Sequence, residues 1–319
     1  MSETAFLRPV DYFYWTIHLI LVTFAWGATF VLVKDALATI SPTAFLAIRF
    51  SITFGIGLTI FRFNYREYTV KQLIFNRNGL ILGCILFIAY FFQTVGLSIT
   101  TPGNAAFVTS LYVPFVPLFL MVFYHKKLPK TIYLWTILAF SGLSLLTLNF
   151  STLEINFGDL IILLTAVGFA LQIIYTSIFS ESSSEGELLI GQFFSIAILS
   201  LIFSFFFDGY IVLFESKEVK DVFILNDAII LALSVTVIFA TLYAYYVQTA
   251  AQKRKLSAEY VALVYAFEPV FALLASLYLG AEVLNLQKFL GAMIIFFAIL
   301  GTIVSQSKKR TSPDHLLPS

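Results

Sequence analysis

The chain has 319 residues, of which 60% are hydrophobic and 12% are charged, and its formal net charge at pH 7 is +1. A soluble core of this length does not need so much apolar surface, so the composition excludes an ordinary soluble domain and indicates a protein that faces lipid. The small net charge also argues against nucleic acid as a partner.

Ten apolar segments follow one another along the chain, each of about 17 to 24 residues and therefore long enough to cross about 30 Å of hydrocarbon as a helix. They lie near residues 13–33, 43–61, 79–99, 104–123, 133–149, 159–179, 188–207, 227–250, 258–279 and 289–305. Their continuous runs of Leu, Ile and Phe differ from the alternating pattern of a membrane β-barrel. The predicted fold class is therefore all-α integral membrane, with ten transmembrane helices.

The positions of Lys and Arg predict the orientation of these helices. Most of the 19 basic residues fall in segments that share one side of the membrane if both chain ends are cytoplasmic. These segments lie around residues 62–77, 126–130, 253–255 and 308–310. Because cytoplasmic loops are enriched in Lys and Arg, the prediction is N-in and C-in.

An internal repeat relates the two halves of the chain. The sequence of Ala89–Thr94 returns with few changes at Ala244–Thr249, and the same offset places Pro114 on Pro269. A fixed internal period is a mark of duplicated architecture, and five spans per copy require the second copy to be inverted in the membrane. The predicted domains are a five-helix repeat over 1–150, its inverted copy over 151–306 and a cytoplasmic tail over 307–319.

Polar residues on the third and eighth spans form the most specific candidate site. Tyr90 and Gln93 lie on one helical face, and Tyr245 and Gln248 repeat them in the second copy. An inverted repeat brings such pairs towards each other near the midplane, where Gln both donates and accepts and Tyr offers a ring and a hydroxyl. This set suits an amphipathic zwitterion or a heteroaromatic metabolite. The alternative is that the pairs are packing contacts retained from the duplication.

Two further spans carry polar stripes at helical spacing. The sixth span offers Thr165, Gly168, Gln172 and Tyr175, and the first offers His18, Trp26 and Thr29. Polar groups in lipid are costly, so each stripe should face either a neighbouring helix or a wet substrate path. The sequence leaves both interpretations open.

Prolines and two charged residues mark special positions within the spans. Pro114 and Pro269 each remove a helical hydrogen bond, which frees a carbonyl for a ligand or a hinge or makes a simple kink. Glu268 should be paired or protonated in lipid, so it is a candidate proton-responsive or gating residue or else a fixed brace. Arg49 either binds a substrate carboxylate or braces a helix, and with a gap it aligns with Gln192 of the second copy.

Three motifs also follow one another along the chain. They are Trp26-Gly27-Ala28-Thr29-Phe30 with Lys34, Gly158-Asp159, and Glu268-Pro269-Val270-Phe271 followed by Glu282. With ten spans in two repeats, these motifs resemble the EamA family of the drug/metabolite transporter superfamily over nearly the whole chain. The resemblance implies a basket in which spans 1, 3, 4, 6, 8 and 9 surround a central cavity, and it implies export of small metabolites, often amino acids.

The predicted function is a secondary transporter that exports amino acids or related small metabolites by alternating access, in a bacterial cytoplasmic membrane. Its expected partners are a small-molecule substrate, the lipid bilayer and protons as a candidate coupling ion, with no cofactor and no metal. Candidate cavity residues are Trp26, Thr29, Tyr90, Gln93, Ser110, Gln172, Tyr175, Tyr245, Gln248 and Tyr265, and candidate coupling or gating residues are Glu268, Pro269 and Pro114.

Three other classes of function are alternatives to this prediction. A passive facilitator or channel is the main alternative, because a cavity open at both ends leaves the same sequence pattern. A primary pump would need a phosphate-binding G-x-x-x-x-G-K-[ST] loop, which the sequence does not contain. A membrane enzyme is disfavoured because the three histidines, His18, His125 and His315, are scattered along the chain.

Overall fold

The computed structural model describes residues 9–147, 157–208, 226–278 and 283–311, and nearly all of these residues are helical. Within these ranges the helices, in chain order, are α1 (Pro9–Ala36), α2 (Pro42–Asn64), α3 (Val70–Ile74), α4 (Arg77–Ile99), α5 (Pro102–Thr109), α6 (Tyr112–Val122), α7 (Lys130–Thr147), α8 (Phe157–Phe179), α9 (Glu185–Asp208), α10 (Asp227–Val237), α11 (Ala244–Lys253), α12 (Ala258–Tyr265), α13 (Glu268–Tyr278) and α14 (Leu286–Thr311). A π-helical turn, Ile238–Tyr243, joins α10 to α11.

Nine helical stretches of the described residues are long and apolar enough to cross a membrane, which confirms the all-α membrane class. The remaining predicted span corresponds to α7, whose apolar part, Lys130–Leu146, is shorter than the others. The 18 residues of α7 cover about 27 Å at 1.5 Å per residue, slightly less than the hydrocarbon thickness. The count of ten and the orientation of the ends therefore stay predictions. Glu282 lies outside the described residues.

Local capping sets several of the helix boundaries. The Ser41 hydroxyl accepts from the amide of Ala44 where α2 begins, and Pro42 occupies the first turn, where a missing N–H costs nothing. Asn76 caps α4 in the same way by accepting from the amide of Gly79. These caps explain why the observed spans begin close to the boundaries predicted from hydropathy.

Glycines let several pairs of helices approach closely. A Cβ atom added to Gly79 of α4 would lie 2.9 Å from the Cα atom of Gly191 on α9. A Cβ atom on Gly142 of α7 would lie 2.8 Å from the carbonyl oxygen of Gly291 on α14. Small residues at such crossings allow helix backbones to pack in lipid, where no hydrophobic force draws helices together. The crossing of α7 and α14 thus holds the shortest of the predicted membrane spans against a long one.

The fourth and ninth spans are each broken into two helices. α5 ends and α6 begins on either side of Ser110 and Leu111, whereas the break between α12 and α13 lies at Ala266 and Phe267. Neither break lies at the predicted proline, since Pro114 and Pro269 lie in the first turn of the helix that follows. The reason is that proline disturbs the carbonyl four residues earlier, so the helix is interrupted one turn before the ring.

The eighth span contains a π-helical turn that its counterpart, the third span, lacks. The hydroxyl of Thr241 donates to the carbonyl of Thr236, five residues earlier, at 2.6 Å. The matching stretch of α4 is regular α-helix. π-Turns of this kind occur mostly as single insertions into α-helices, often at functional sites. The repeats thus share a scaffold but differ in the middle of one span.

Candidate substrate cavity

A cavity of about 600 Å³, counted to its open mouth, lies among helices of both repeats. Its wall consists of Trp26, Thr29, Phe30 and Val33 of α1, Arg49 of α2, Tyr90, Gln93, Thr94 and Leu97 of α4, Tyr112 of α6, Phe169, Gln172 and Ile173 of α8, Tyr245 and Gln248 of α11, and Glu268 of α13. The mixture of aromatic walls with a few polar groups is typical of small-molecule sites.

The repeated tyrosines meet in the middle of this cavity. The Tyr245 hydroxyl donates to the Tyr90 hydroxyl at 2.9 Å, although the two residues are 155 positions apart. Both side chains are buried, and the ring of Phe169 packs edge-on against Tyr90 at 5.1 Å between centroids. The two tyrosines of the repeated motif are therefore in direct contact, as the predicted inverted repeat requires.

The repeated glutamines do not contact each other. Gln248 donates to the side-chain oxygen of Gln172 at 2.9 Å, and Gln172 donates to the hydroxyl of Thr176 at 3.0 Å. Gln93, in contrast, is half-buried and lies 3.4 Å from the hydroxyl of Thr109. The amides on α8 and α11 thus form an interhelical hydrogen-bond network at the cavity wall, while Gln93 keeps most of its capacity for other partners.

The carboxyl of Glu268 connects the two broken spans. Glu268 is buried, with 3% of its surface exposed, and accepts a 2.7 Å hydrogen bond from the Tyr112 hydroxyl. The same hydroxyl lies 3.4 Å from the carbonyl oxygen of Tyr265, four residues before Pro269. Tyr112, at the break in the first repeat, therefore reaches the break in the second. In the described part of the chain, no group of three or more His, Cys, Asp or Glu side chains offers a metal site.

The π-helical turn holds two other wall residues. The Trp26 indole donates to the carbonyl of Ala240 at 2.9 Å, and its ring lies 4.7 Å from that of Tyr265. Arg49 donates twice to the hydroxyl of Thr241, from Nε at 3.1 Å and from Nη2 at 2.8 Å. The π-helical turn thus supplies a backbone acceptor for Trp26 and a side-chain acceptor for Arg49.

Some predicted residues lie away from the cavity wall. Ser110 caps the end of α5 at the helix break. It is fully buried, and its hydroxyl donates to the carbonyl of Ala106. Tyr175 lies about one turn beyond Gln172 along α8 and packs on Phe179. Tyr265 stands behind the wall, where its hydroxyl lies 3.4 Å from the Gln248 side-chain oxygen. Pro114 and Pro269 shape the wall only through the breaks described above.

Eight candidates lie on the wall: Trp26, Thr29, Tyr90, Gln93, Gln172, Tyr245, Gln248 and Glu268. Their roles in substrate binding or coupling stay predictions. His18 of the first-span stripe instead pairs with the hydroxyl of Tyr243 at 2.6 Å. The candidate set lacked the wall residues Tyr112 and Phe169, which carried no polar pattern in the sequence, and Arg49, whose signal was a single base within an apolar span.

Hydrogen bonds and ion pairs join the two repeats at the predicted cytoplasmic end. Glu185 accepts from Arg254 and from the Tyr65 hydroxyl, both at 2.6 Å. Burial and then the contact with Glu185 raise the pKa of Tyr65 well above its usual value, so this hydroxyl remains a donor. Lys126 pairs with Glu259 at 3.3 Å on the same side. The loops at this end are therefore tied together across the repeat boundary.

Comparison with known proteins adds three findings. The model of the EamA-like transporter family matches the chain twice, over residues 13–148 and 156–304. A protein of Archaeoglobus fulgidus described as "Uncharacterized transporter" is 33% identical over 287 residues, which cover 90% of this chain and 85% of that protein. A solved structure described as "Crystal structure of protein" covers 92% of this chain and 98% of its own, with a TM-score of 0.72 and 17% identity. At that identity the likeness shows the fold alone.

Proposed function

Because the chain belongs to the EamA-like transporter family of the drug/metabolite transporter superfamily, we propose that it is a secondary transporter of small organic metabolites. The proposed substrates are amino acids or related compounds, moved outward by alternating access across a bacterial cytoplasmic membrane. Membership of a transporter family points away from an enzyme.

The cavity of about 600 Å³ at the interface of the two repeats carries this proposal. Secondary transporters built from inverted repeats hold their substrates at this place, near broken helices. The aromatic side chains of Trp26, Tyr90 and Tyr245 would cover the apolar part of a metabolite, and Gln93 would meet a polar group. The aromatic and amide lining suits a small organic molecule better than an inorganic ion.

The position of the cavity supports an alternating-access mechanism. Its wall residues on α1 and α4 lie in the halves of those helices that are further from the predicted cytoplasmic loops, whereas those on α8 and α11 lie in the halves nearer to them, so the cavity lies around the middle of the bundle. The predicted cytoplasmic end is tied by the contacts of Glu185 and Glu259. A carrier that is closed at this end is expected to open its cavity towards the opposite side. The inward-facing state would require those contacts to break and the outer ends of α1 and α4 to approach the second repeat.

Glu268 is the proposed coupling residue. It lies on the cavity wall, at the start of α13, and the Tyr112 hydroxyl ties it to the other broken span. A carboxyl in this position would respond both to substrate and to protonation, because each changes the charge balance of a site with little water. Replacing Glu268 by Gln should make the rate of transport less dependent on pH. An identical pH profile in the Glu268→Gln variant would end the coupling proposal.

Exchange of labelled substrate in proteoliposomes tests the proposed function. Liposomes that contain the full chain would be loaded with unlabelled amino acids, nucleobases and related compounds, and uptake of the labelled counterpart would be measured. We expect saturable exchange, and we expect Gln93→Leu to weaken it. Ser141→Ala is the matched control, because Ser141 is exposed on α7, away from the cavity wall, and its hydroxyl bonds to the carbonyl of Ile137 on the same helix.

Two outcomes would contradict the carrier mechanism. Uptake that rises linearly with concentration, without saturation or exchange, would indicate a passive channel. No exchange of any tested compound by correctly folded protein would refute the proposed substrate class.

A further inference from the structure

Arg49 is a buried cation with no countercharge of its own. Only 5% of its surface is exposed, and it lies within the membrane span Pro42–Asn64 and on the cavity wall. In the described ranges, none of the ion pairs within 4 Å includes it; those pairs involve Lys126, Arg254 and Lys255. Charged side chains at such depth normally pair with an opposite charge, since removing them from water is expensive.

The partners that Arg49 does have are neutral and hold it in one orientation. Nε and Nη2 both donate to the single hydroxyl of Thr241, which is itself fixed by its hydrogen bond to the carbonyl of Thr236. The guanidinium carbon lies 4.6 Å from the ring centroid of Tyr90 and 4.9 Å from that of Phe50, so aromatic faces stabilise the cation.

This support leaves part of the guanidinium fork without an assigned role. Nη1 makes neither of the two hydrogen bonds to Thr241, and a guanidinium has five N–H donors in one plane, so donors remain even when its side-chain contact with Tyr90 is counted. A planar fork that is already held in place loses little freedom when it binds, which makes it suited to a carboxylate. A single cation also matches one negative charge better than the two of a phosphate.

The rest of the cavity is complementary to the other end of such a molecule. Glu268 lies on the same cavity wall but more than 4 Å from Arg49, so the cavity offers a cation and a carboxyl that do not neutralise each other directly. The aromatic residues Trp26, Tyr90 and Phe169 complete the wall between several helices. A zwitterion would place a carboxylate at Arg49 and an ammonium group at Glu268.

We propose that Arg49 is the carboxylate-binding residue of the cavity, and that substrates of this transporter are small molecules with a free carboxylate, α-amino acids among them. The inference rests on the proposed transport function and narrows its substrate class. The arriving carboxylate supplies the countercharge that the protein does not, through charge-assisted hydrogen bonds. Thr241 and the π-helical turn act as positioning groups for Arg49.

Paired probes test this assignment directly. Binding to the purified full chain would be measured for L-phenylalanine, L-leucine and L-threonine, each against its own carboxamide, which keeps the side chain and the ammonium group but lacks the carboxylate charge. For each probe that the wild type binds, we expect the acid to bind about 10 to 100 times more tightly than the amide. In Arg49→Gln this preference should fall to about one, while binding of the amide stays nearly unchanged.

The second repeat supplies the matched control. Gln192, the residue that aligns with Arg49, is fully buried on α9 and does not line the cavity. Gln192→Leu should therefore keep the full preference for the acid. Should Arg49→Gln fail to fold, equal binding of acid and amide by the wild type would still overturn the proposal.

The possible results distinguish a failure of the role of Arg49 from a failure of the proposed transport function. Equal binding of acids and amides by the wild type, or an unchanged preference in Arg49→Gln, would overturn the role of Arg49 while leaving transport intact. If folded wild-type protein neither binds nor exchanges any of the six probes, the proposed amino-acid function fails, and the role of Arg49 fails with it.

Discussion

The crossing of α1 and α13 at Gly27 is expected to tolerate no side chain. A Cβ atom at this position would lie 2.6 Å from the carbonyl oxygen of Glu268, 2.7 Å from the amide nitrogen of Ala272 and 2.8 Å from the Cβ atom of Phe271. Two of these atoms belong to the backbone, so no rotation of a side chain relieves the overlap. In Gly27→Ala, α1 would have to move roughly 1 Å away from α13, since overpacked cores respond by shifting the backbone.

The cost of this shift can be isolated with a second glycine. Overpacking of this kind costs about 1–3 kcal/mol, whereas replacing glycine by alanine within a helix gains about 1 kcal/mol through the unfolded chain. Gly55 of α2 has no atom within 4 Å of the position of an added Cβ. Gly55→Ala should therefore show the stabilisation that comes from the unfolded chain without any steric overlap in the folded protein. The difference in free energy of unfolding between the two variants should be about 1–3 kcal/mol, with Gly27→Ala the less stable.

Denaturant unfolding of both variants in the same detergent measures this difference. Substrate exchange in proteoliposomes should also fall in Gly27→Ala, because the displaced helix carries Trp26 and Thr29 and the displaced crossing carries Glu268. Equal stability of Gly27→Ala and Gly55→Ala would refute the close approach of the two helices.

Three other predictions concern hydrogen bonds of the cavity and of the cytoplasmic end. Tyr112→Phe removes the donor to the buried Glu268 carboxyl and should lower the free energy of unfolding by about 1–3 kcal/mol in denaturant titrations, so unchanged stability would count against this bond. Tyr90→Phe and Tyr245→Phe delete the same hydroxyl pair, so the double variant should cost clearly less than the sum of the singles; additive losses would show that the hydroxyls act separately. Glu185→Gln weakens the ion pair with Arg254 and should therefore increase hydrogen–deuterium exchange of residues 250–256. Equal exchange in the variant and the wild type would show that this ion pair does not hold the segment in place.

The membrane spans and the contact between the two repeats could be predicted from the sequence, for physical reasons. Hydropathy finds spans because lipid demands apolar side chains over a fixed length, and caps such as Ser41 mark their ends. The contact of Tyr90 with Tyr245 could be expected from the internal repeat and its predicted inversion. The interruption of the ninth span was indicated by Pro269, but it lies one turn earlier because the proline acts on a preceding carbonyl.

The sequence could not distinguish polar residues that face the cavity from those that serve the protein itself. Gln172 and Tyr175 share a polar stripe, yet only Gln172 lies on the wall, and it is already hydrogen-bonded to Gln248. The partner of a polar side chain in lipid depends on which helix packs beside it, and spacing along one helix does not contain that information. Arg49 illustrates the same limit, since its acceptor, the hydroxyl of Thr241, lies in a π-helical turn that spacing along α2 does not indicate.

The π-helical turn also determines which residues of the eighth span face the cavity. A π-turn adds one residue to a turn, so everything after it is rotated by about 100° relative to an uninterrupted α-helix. Were the span regular throughout, Ala244 and Val247 would occupy the directions that Tyr245 and Gln248 now take, and this wall of the cavity would be apolar. The similarity to the third span begins at Ala244, directly after the π-turn ends. One extra residue has therefore put the first half of the span out of register with its counterpart while keeping the polar half in register.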